Sequence, residues 1–246
     1  MQSSSAAVRV RAAVPAKPAP AAATQRFCLS VVIPALNEAA CIHNAVSSAL
    51  HDQSVHEVVV VDGGSCDDTW QVATRAGARV VRSQPGRGIQ LQAGATAATG
   101  DSLLFLHADT VLPHNYASMV DQTLADPACA AGAFTLRIDA RGWQYRVIER
   151  GVAWRSGHLH MPYGDQAIFL RRETLQSVGG IQPLPTLEDF HLIRSLRRMG
   201  SIRILDAAVT TSSRRWERDG IVRTTLKNVT RATWASLHAH SRSNVD

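Results

Sequence analysis

Short apolar runs in this chain alternate with longer stretches whose apolar residues recur every three or four positions. Leu29-Ser-Val-Val-Ile-Pro34 predicts a buried first strand, closed by a proline that cannot donate to a ladder. Asn37, a good N-cap, then precedes Ile42, Val46, Ala49 and Leu50 at helical spacing. Glu57-Val-Val-Val-Val-Asp62 predicts a second strand, apolar on both faces as in a parallel sheet, ending in the turn Asp62-Gly63-Gly64-Ser65. Asp67 or Asp68 opens a helix through Val72, Ala73 and Ala76 to Gly77, and Arg79 to Arg82 is a short third strand. Gly86-Arg87-Gly88 leads into a helix carrying Leu91, Ala95 and Ala98 and ending at Gly100. The next apolar run, Leu103 to Leu106, is short enough for one buried strand and stops on His107 and Asp109. This alternation predicts an α/β fold: a Rossmann-like, mostly parallel sheet with right-handed crossovers and helices on both faces.

After Leu112 the pattern changes. Tyr116 to Leu124 is helical in spacing, Cys129 to Ile138 alternates as a strand, and Trp143 to Trp154 predicts an amphipathic helix. Ala167-Ile-Phe-Leu170 is a strand, and Glu173 to Val178 is a short helix closed by Gly179-Gly180. Glu188-Asp189 opens a helix with Leu192, Ile193, Leu196 and Met199, Ile202 to Leu205 is a strand, and a final helix starts at Ile221. Thr110 and Pro113 are consistent with a helix start capped by Asp109. The alternative is a working carboxylate, because open α/β sheets bind ligands at the carboxyl ends of their strands.

Charge narrows the partners. The 246 residues carry a formal charge of +6, but residues 1–26 hold four basic residues and no acid, the residues after Ser213 hold seven basic and three acidic, and the stretch between holds 15 basic and 17 acidic. The stretch between is almost neutral and lacks the basic, aromatic-interleaved patch of a nucleic-acid interface, so no nucleic-acid partner is expected. Residues 1–26 are rich in Ala, Ser and Pro, which predicts a disordered arm of transit-peptide character. A plastid address is expected, with mitochondrion or cytoplasm as alternatives. The folded part is then a single domain, 27–246, with a nucleotide-binding half over 27–112 and a smaller acceptor half plus C-terminal helix over 113–246. Cys28, Cys41, Cys66 and Cys129 show no metal-ligand spacing. No apolar run reaches the length of a membrane span.

The first strand–helix junction has no Gly-x-Gly-x-x-Gly, and no Gly-Lys-Ser/Thr loop occurs. Any nucleotide must then be held differently, and carboxylates at strand ends suit that. Asp62 can accept from a base N–H or a ribose hydroxyl, and Asp109 can bind a metal.

Five motifs stand in order: Pro34-Ala-Leu-Asn-Glu38, Asp62-Gly-Gly-Ser-Cys-Asp-Asp-Thr69, Leu106-His-Ala-Asp109, Phe169 to Gly180, and Glu188-Asp189. Together they resemble the family-2 type of GT-A glycosyltransferases over roughly Leu29 to Gly200. Gly86-Arg-Gly-Ile-Gln, with Leu-His-Ala-Asp-Thr and Gly-Asp-Gln, more narrowly resembles the short soluble selenodomain-associated transferase 2 group. The resemblance implies an inverting transferase that moves one sugar from a nucleotide-diphosphate donor, UDP-linked, to a hydroxyl acceptor. It implies a donor pocket of Pro34, Ala35, Asn37, Glu38, Asp62, Gly63, Arg87, Gln90, His107, Ala108 and Asp109. It further implies Asp189 as general base with Glu188 beside it, and acceptor contacts from Asp165 and Gln166. Asp109 matches the second carboxylate of the family's Asp-x-Asp and is the implied Mn²⁺ or Mg²⁺ ligand. His107 replaces the first carboxylate and is expected at ribose or phosphate. Arg215-Trp216 is similar to the Arg-Trp of processive members, although Ser212 stands where those carry glutamine. Arg215 is then a diphosphate partner and Trp216 a sugar platform, or else the pair is a charge cluster beside a core tryptophan.

Two rival readings are a nucleotide-sugar-binding protein without turnover and a sugar-1-phosphate nucleotidyltransferase. The second would need a Gly-rich first loop followed by Arg and Lys, which Pro34 to Ala40 lacks. The final helix places Arg223, Lys227 and Arg231 on one stripe, a solvated face or a peripheral membrane contact.

Overall fold

The computed structural model describes residues 27–184 and 187–221. The N-terminal arm and the predicted final helix beyond Ile221 lie outside the described residues, together with Arg223, Lys227 and Arg231. The strands are β1 Leu29–Ala35, β2 Val55–Asp62, β3 Arg79–Arg82, β4 Ser102–Phe105, β5 Thr110–Val111, β6 Cys129–Asp139, β7 Phe169–Arg171 and β8 Ser201–Ser212. They form one sheet in the order β3-β2-β1-β4-β7-β6-β8-β5. The first four are mutually parallel; β7 runs antiparallel to β4 and β6, β8 is parallel to β6, and β5 is antiparallel to β8. Helices are α1 Ile42–Leu50, α2 Thr69–Arg75, α3 Arg87–Ala97, α4 Tyr116–Leu124, α5 Trp143–Leu159, α6 Arg172–Ser177, α7 Glu188–Leu196 and α8 Arg214–Asp219. Among the described residues no helix is long and apolar enough to cross a membrane.

Alternation along each strand divides the core between two faces. Val31 and Ile33 of β1 and Val58 and Val60 of β2 pack with Val46 and Ala49 of α1, Ala73 of α2 and Val120 of α4. Val32, Val59 and Val61 point the other way, to Leu91 and Ala95 of α3 and Ile193 and Leu196 of α7. α3 lies very close to the sheet: a Cβ at Gly94 would fall 2.3 Å from Val32 Cγ1 and 2.8 Å from Val61 Cγ2. The parallel strands meet the second half through β7. Its single register pair with β6 is Gly132 with Phe169, and a Cβ at Gly132 would enter the Phe169 ring at 2.2 Å.

Three local expectations are corrected. Asn37 does not cap α1, which starts at Ile42; it sits in the left-handed region at φ 56° and its side chain accepts the Cys66 N–H at 2.8 Å. The competing use of the Asn carbonyl, tying one strand-end loop to the next, won over capping. Pro34 does not end β1, which continues to Ala35 opposite Asp62. Thr110 and Pro113 do not start a helix: Thr110–Val111 pairs with Thr210 and Thr211 of β8, which brings the C-terminal half back to the end of β4.

Candidate active site

β1 has β2 on one side and β4 on the other, with later elements added beyond β4, so the strand order reverses between β1 and β4. Crevices at such switch points are where open α/β sheets bind ligands. The carboxyl ends of β1, β2 and β4 bring Glu38, Asp62, His107 and Asp109 to this rim. The N-termini of α3 and α7 bring Arg87, Glu188 and Asp189, and α8 brings Arg214 and Arg215.

On the β1–β2 side, turns fix the groups. Asp62 is 3% exposed, and its Oδ1 accepts the Ser65 N–H at 3.1 Å and the Ser65 hydroxyl. The Ser65 oxygen in turn accepts the Asn37 N–H at 2.9 Å, and the Glu38 N–H donates to Thr69 Oγ1 at 2.8 Å. The Glu38 carboxylate pairs with Arg214 at 2.7 Å. That hydrogen bond raises the pKa of Arg214, with smaller contributions from Cys41 and from Asp109, which also faces the guanidinium. The Ser212 N–H reaches the Asp109 carbonyl at 3.0 Å and holds α8 against this loop.

Arg87 occupies the centre. It pairs with Glu188, approaches Asp189 Oδ2 at 3.5 Å and lies 3.3 Å from His107 Nε2. Burial opposes its charge, but Asp189 and Glu188 outweigh burial and raise its pKa. Burial, then Arg87 and Arg215, hold the His107 pKa well below its ordinary value. His107 is therefore neutral, with Nε2 accepting from Arg87 and the proton on Nδ1. Asp189 is further held by the Gly164 N–H on Oδ2 at 2.9 Å and by the Phe190 N–H on Oδ1 at 2.8 Å. Gly164 opens a short 3₁₀ turn, Gly164–Gln166, which carries Asp165 into the same region.

The structure brings Glu38, Asp62, Arg87, His107, Asp109, Asp165, Glu188, Asp189 and Arg215 to one rim, where Arg87 joins His107, Glu188 and Asp189 by contact, Glu38 pairs with Arg214, and Asp165 and Arg215 act on their neighbours through charge. It removes other residues from direct ligand contact. Gln90 is 4% exposed and donates to the Ala35 and Val61 carbonyls at 2.8 and 2.9 Å, a strut between strand ends rather than a nucleotide contact. Gly63 sits close above it: a Cβ there would lie 3.0 Å from the Gln90 amide and press on that strut. Gln166 is fully buried; it donates to the Phe134 carbonyl at 2.9 Å and accepts from Arg155 at 3.2 Å, so it braces the turn rather than meeting an acceptor. Trp216 is no sugar platform: it is 8% exposed and packs with Ile138 and Tyr145. Ala35 and Ala108 are also buried, so their side chains are not open to a ligand. Glu188, 1% exposed, faces Arg87 and serves to hold that guanidinium.

Two residues not singled out as site residues belong here. Arg214 is the partner of Glu38, and its adjacency to Arg215 was the available signal. Arg155 of α5 stacks on Tyr163 at 3.7 Å from the ring centroid and donates to the Met161 carbonyl at 3.1 Å. Nothing in its spacing announces this, because the contact depends on how α5 packs.

A metal would find one first-rank carboxylate, Asp109; no group of three or more His, Cys, Asp or Glu able to hold a metal exists among the described residues. That donor set fits Mg²⁺ or Mn²⁺ bound largely through substrate phosphates, the usual arrangement for a cation held by one or two carboxylates.

Comparison with known proteins gives a consistent result. The sequence pattern of glycosyl transferase family 2 matches residues 30–179. Glucosyl-3-phosphoglycerate synthase of Mycobacterium tuberculosis is 40% identical over 97 residues, which is 35% of this chain and 30% of the synthase. A glycosyltransferase of Nostoc sp. is 33% identical over 102 residues, 38% of this chain and 32% of that protein. The chain thus aligns with about a third of the length of these curated relatives. The solved M. tuberculosis synthase with Mg²⁺ and uridine diphosphate superposes with a TM-score of 0.55 at 27% identity, covering 75% of this chain and 70% of that one. Its complex with Mn²⁺, uridine diphosphate and glucosyl-3-phosphoglycerate gives 0.56 at 28% identity, covering 75% and 71%.

Proposed function

Because the chain belongs to glycosyl transferase family 2, we propose that it transfers a single sugar from a UDP-linked donor, with inversion, to a hydroxyl acceptor. The observation that carries this reading is the cluster at the β4 end, where Asp189 is fixed by two backbone N–H groups and approached by Arg87, which also lies against His107. Asp62 takes the base and Glu38 the ribose. Asp109 holds the divalent cation, which when bound supplies Lewis-acid stabilisation of the leaving diphosphate. Arg214 and Arg215 add positive charge to the same side, the usual partner for phosphate oxygens.

Asp189 removes the proton of the acceptor hydroxyl while that oxygen bonds to the anomeric carbon. The bond from that carbon to the diphosphate oxygen breaks on the opposite side, and the diphosphate leaves with the electron pair. One displacement inverts the anomeric centre. The proton ends on Asp189 and passes to solvent.

The test uses UDP-glucose with Mn²⁺, following donor hydrolysis and transfer to phosphoglyceric acid, the compound bound in related structures. Release of UDP is expected, with UDP binding tightened by Mn²⁺ in the native protein and indifferent to Mn²⁺ in Asp109→Ala. Equal affinity of the native protein with and without metal removes the cation role. UDP-glucose binding without hydrolysis or transfer to any of a panel of acceptors favours a binding protein.

A further inference from the structure

The carboxyl oxygens of Asp165 and Asp189 lie in one electrostatic neighbourhood but are treated differently. Asp189 receives the N–H groups of Gly164 and Phe190 and the approach of Arg87. Asp165 Oδ1 is buried and meets no hydrogen-bond partner. The cations around it are committed elsewhere: Arg155 to Tyr163, Met161 and Gln166, and Arg87 to Glu188, Asp189 and His107. The Asp165 backbone N–H reaches its own carboxyl group, but Oδ1 receives no donor; ionising a carboxyl group with one buried oxygen left unpaired is costly, whereas a neutral one needs only an acceptor for its proton.

We propose that Asp165 holds a proton in the working enzyme and donates a hydrogen bond to an oxygen of the compound on the acceptor side, beside the hydroxyl that Asp189 deprotonates. This rests on the transferase reading of the site. The groups facing Asp165 are Arg155 from α5, Arg87 from α3, Asp189 from α7 and Tyr163 ahead of its own turn. Burial and the Asp189 charge raise its pKa against the opposing pull of Arg155 and Arg87. Two neighbouring carboxyl groups in unlike surroundings divide into an acid and a base in this way. The consequence for the substrate is chemical. A neutral Asp165 removes a negative charge that would repel an acidic acceptor, so the site admits hydroxyl compounds that carry a carboxylate or phosphate as well as neutral ones.

Infrared difference spectroscopy of the whole protein tests the proton directly. At pH 7 a carbonyl stretch of a protonated carboxyl group is expected, sensitive to deuterium and absent in Asp165→Asn. In Asp189→Asn the titration of that band moves to lower pH, because a like charge has gone. UDP-glucose hydrolysis, where water takes the acceptor's place, gives the second readout. Asp165→Asn, which keeps an N–H donor, is expected to slow it about threefold, and Asp165→Ala about thirtyfold. Absence of the band, its persistence in Asp165→Asn, or asparagine as damaging as alanine overturns the proposal. The spectrum requires no turnover, so a protein that hydrolyses no UDP-glucose but shows the band loses the transferase reading while keeping the protonated Asp165.

Discussion

Asp62 is held by Ser65, three positions along the chain, whereas Glu188 and Asp189 are held by Arg87, about a hundred positions away. On the β1–β2 side of the cleft a turn holds Asp62 through the Ser65 N–H and hydroxyl, and only Glu38 reaches across the fold, to Arg214. The α7 side is built on charges paired across the fold, Arg87 with Glu188 and Asp189, and leaves Glu188 Oε2 buried without a partner. The first kind of site survives small shifts of packing. The second exists only while α3, α7 and the 164–166 turn keep their places.

The sharpest way to break this contrast is Asp189→Asn. Transfer is expected to fall roughly 10³-fold, the scale of a lost general base, while UDP affinity stays close to native. Calorimetric UDP binding beside steady-state rates checks both, and a mutant with native turnover ends the base assignment. Arg87→Met comes next, because it orphans Glu188 at 1% exposure. A loss of about 3 kcal/mol is expected, the lower end for an unpaired buried charge because Arg87 is itself partly exposed. The double variant Arg87→Met/Glu188→Gln should regain most of it in urea unfolding.

Gly94→Ala is expected to cost about 2 kcal/mol, since the new methyl must displace Val32 or lift α3. If the α7 side depends on α3 as described, its turnover falls further than its UDP affinity; equal losses would mean that the two sides are not held differently. The smallest effect lies far from the cleft. Burial opposes the charge of Glu57, but Thr99, Arg79 and Ser30 outweigh it and hold the carboxyl at about 2. A depressed folded value adds stability above the unfolded pKa, and that stability is lost as pH falls toward 2. Glu57→Gln should flatten acid unfolding between about pH 5 and 2 without changing donor binding.

The same contrast explains what the sequence made legible. Buried parallel strands announce themselves as apolar runs, so β1, β2 and β4, and the carboxylates Asp62 and Asp109 at the ends of the last two, could be placed before any coordinates. Gln90 and Gln166 could not, because a polar side chain that braces backbone carbonyls has the same letter as one that meets a ligand. Trp216 was open to both readings until its neighbours Ile138 and Tyr145, from distant parts of the chain, were known. Thr110 and Pro113 have a helix-start pattern locally, and only the return of β8 makes Thr110–Val111 a strand. The Arg87–Glu188 pair has no local signature at all.

The notch at Gly132 works as a keyway for the Phe169 ring. Any drift that enlarges one side must shrink the other, so these two positions are expected to change as a pair or not at all. The two halves of the molecule can then diversify their loops independently, provided that this one joint keeps its fit.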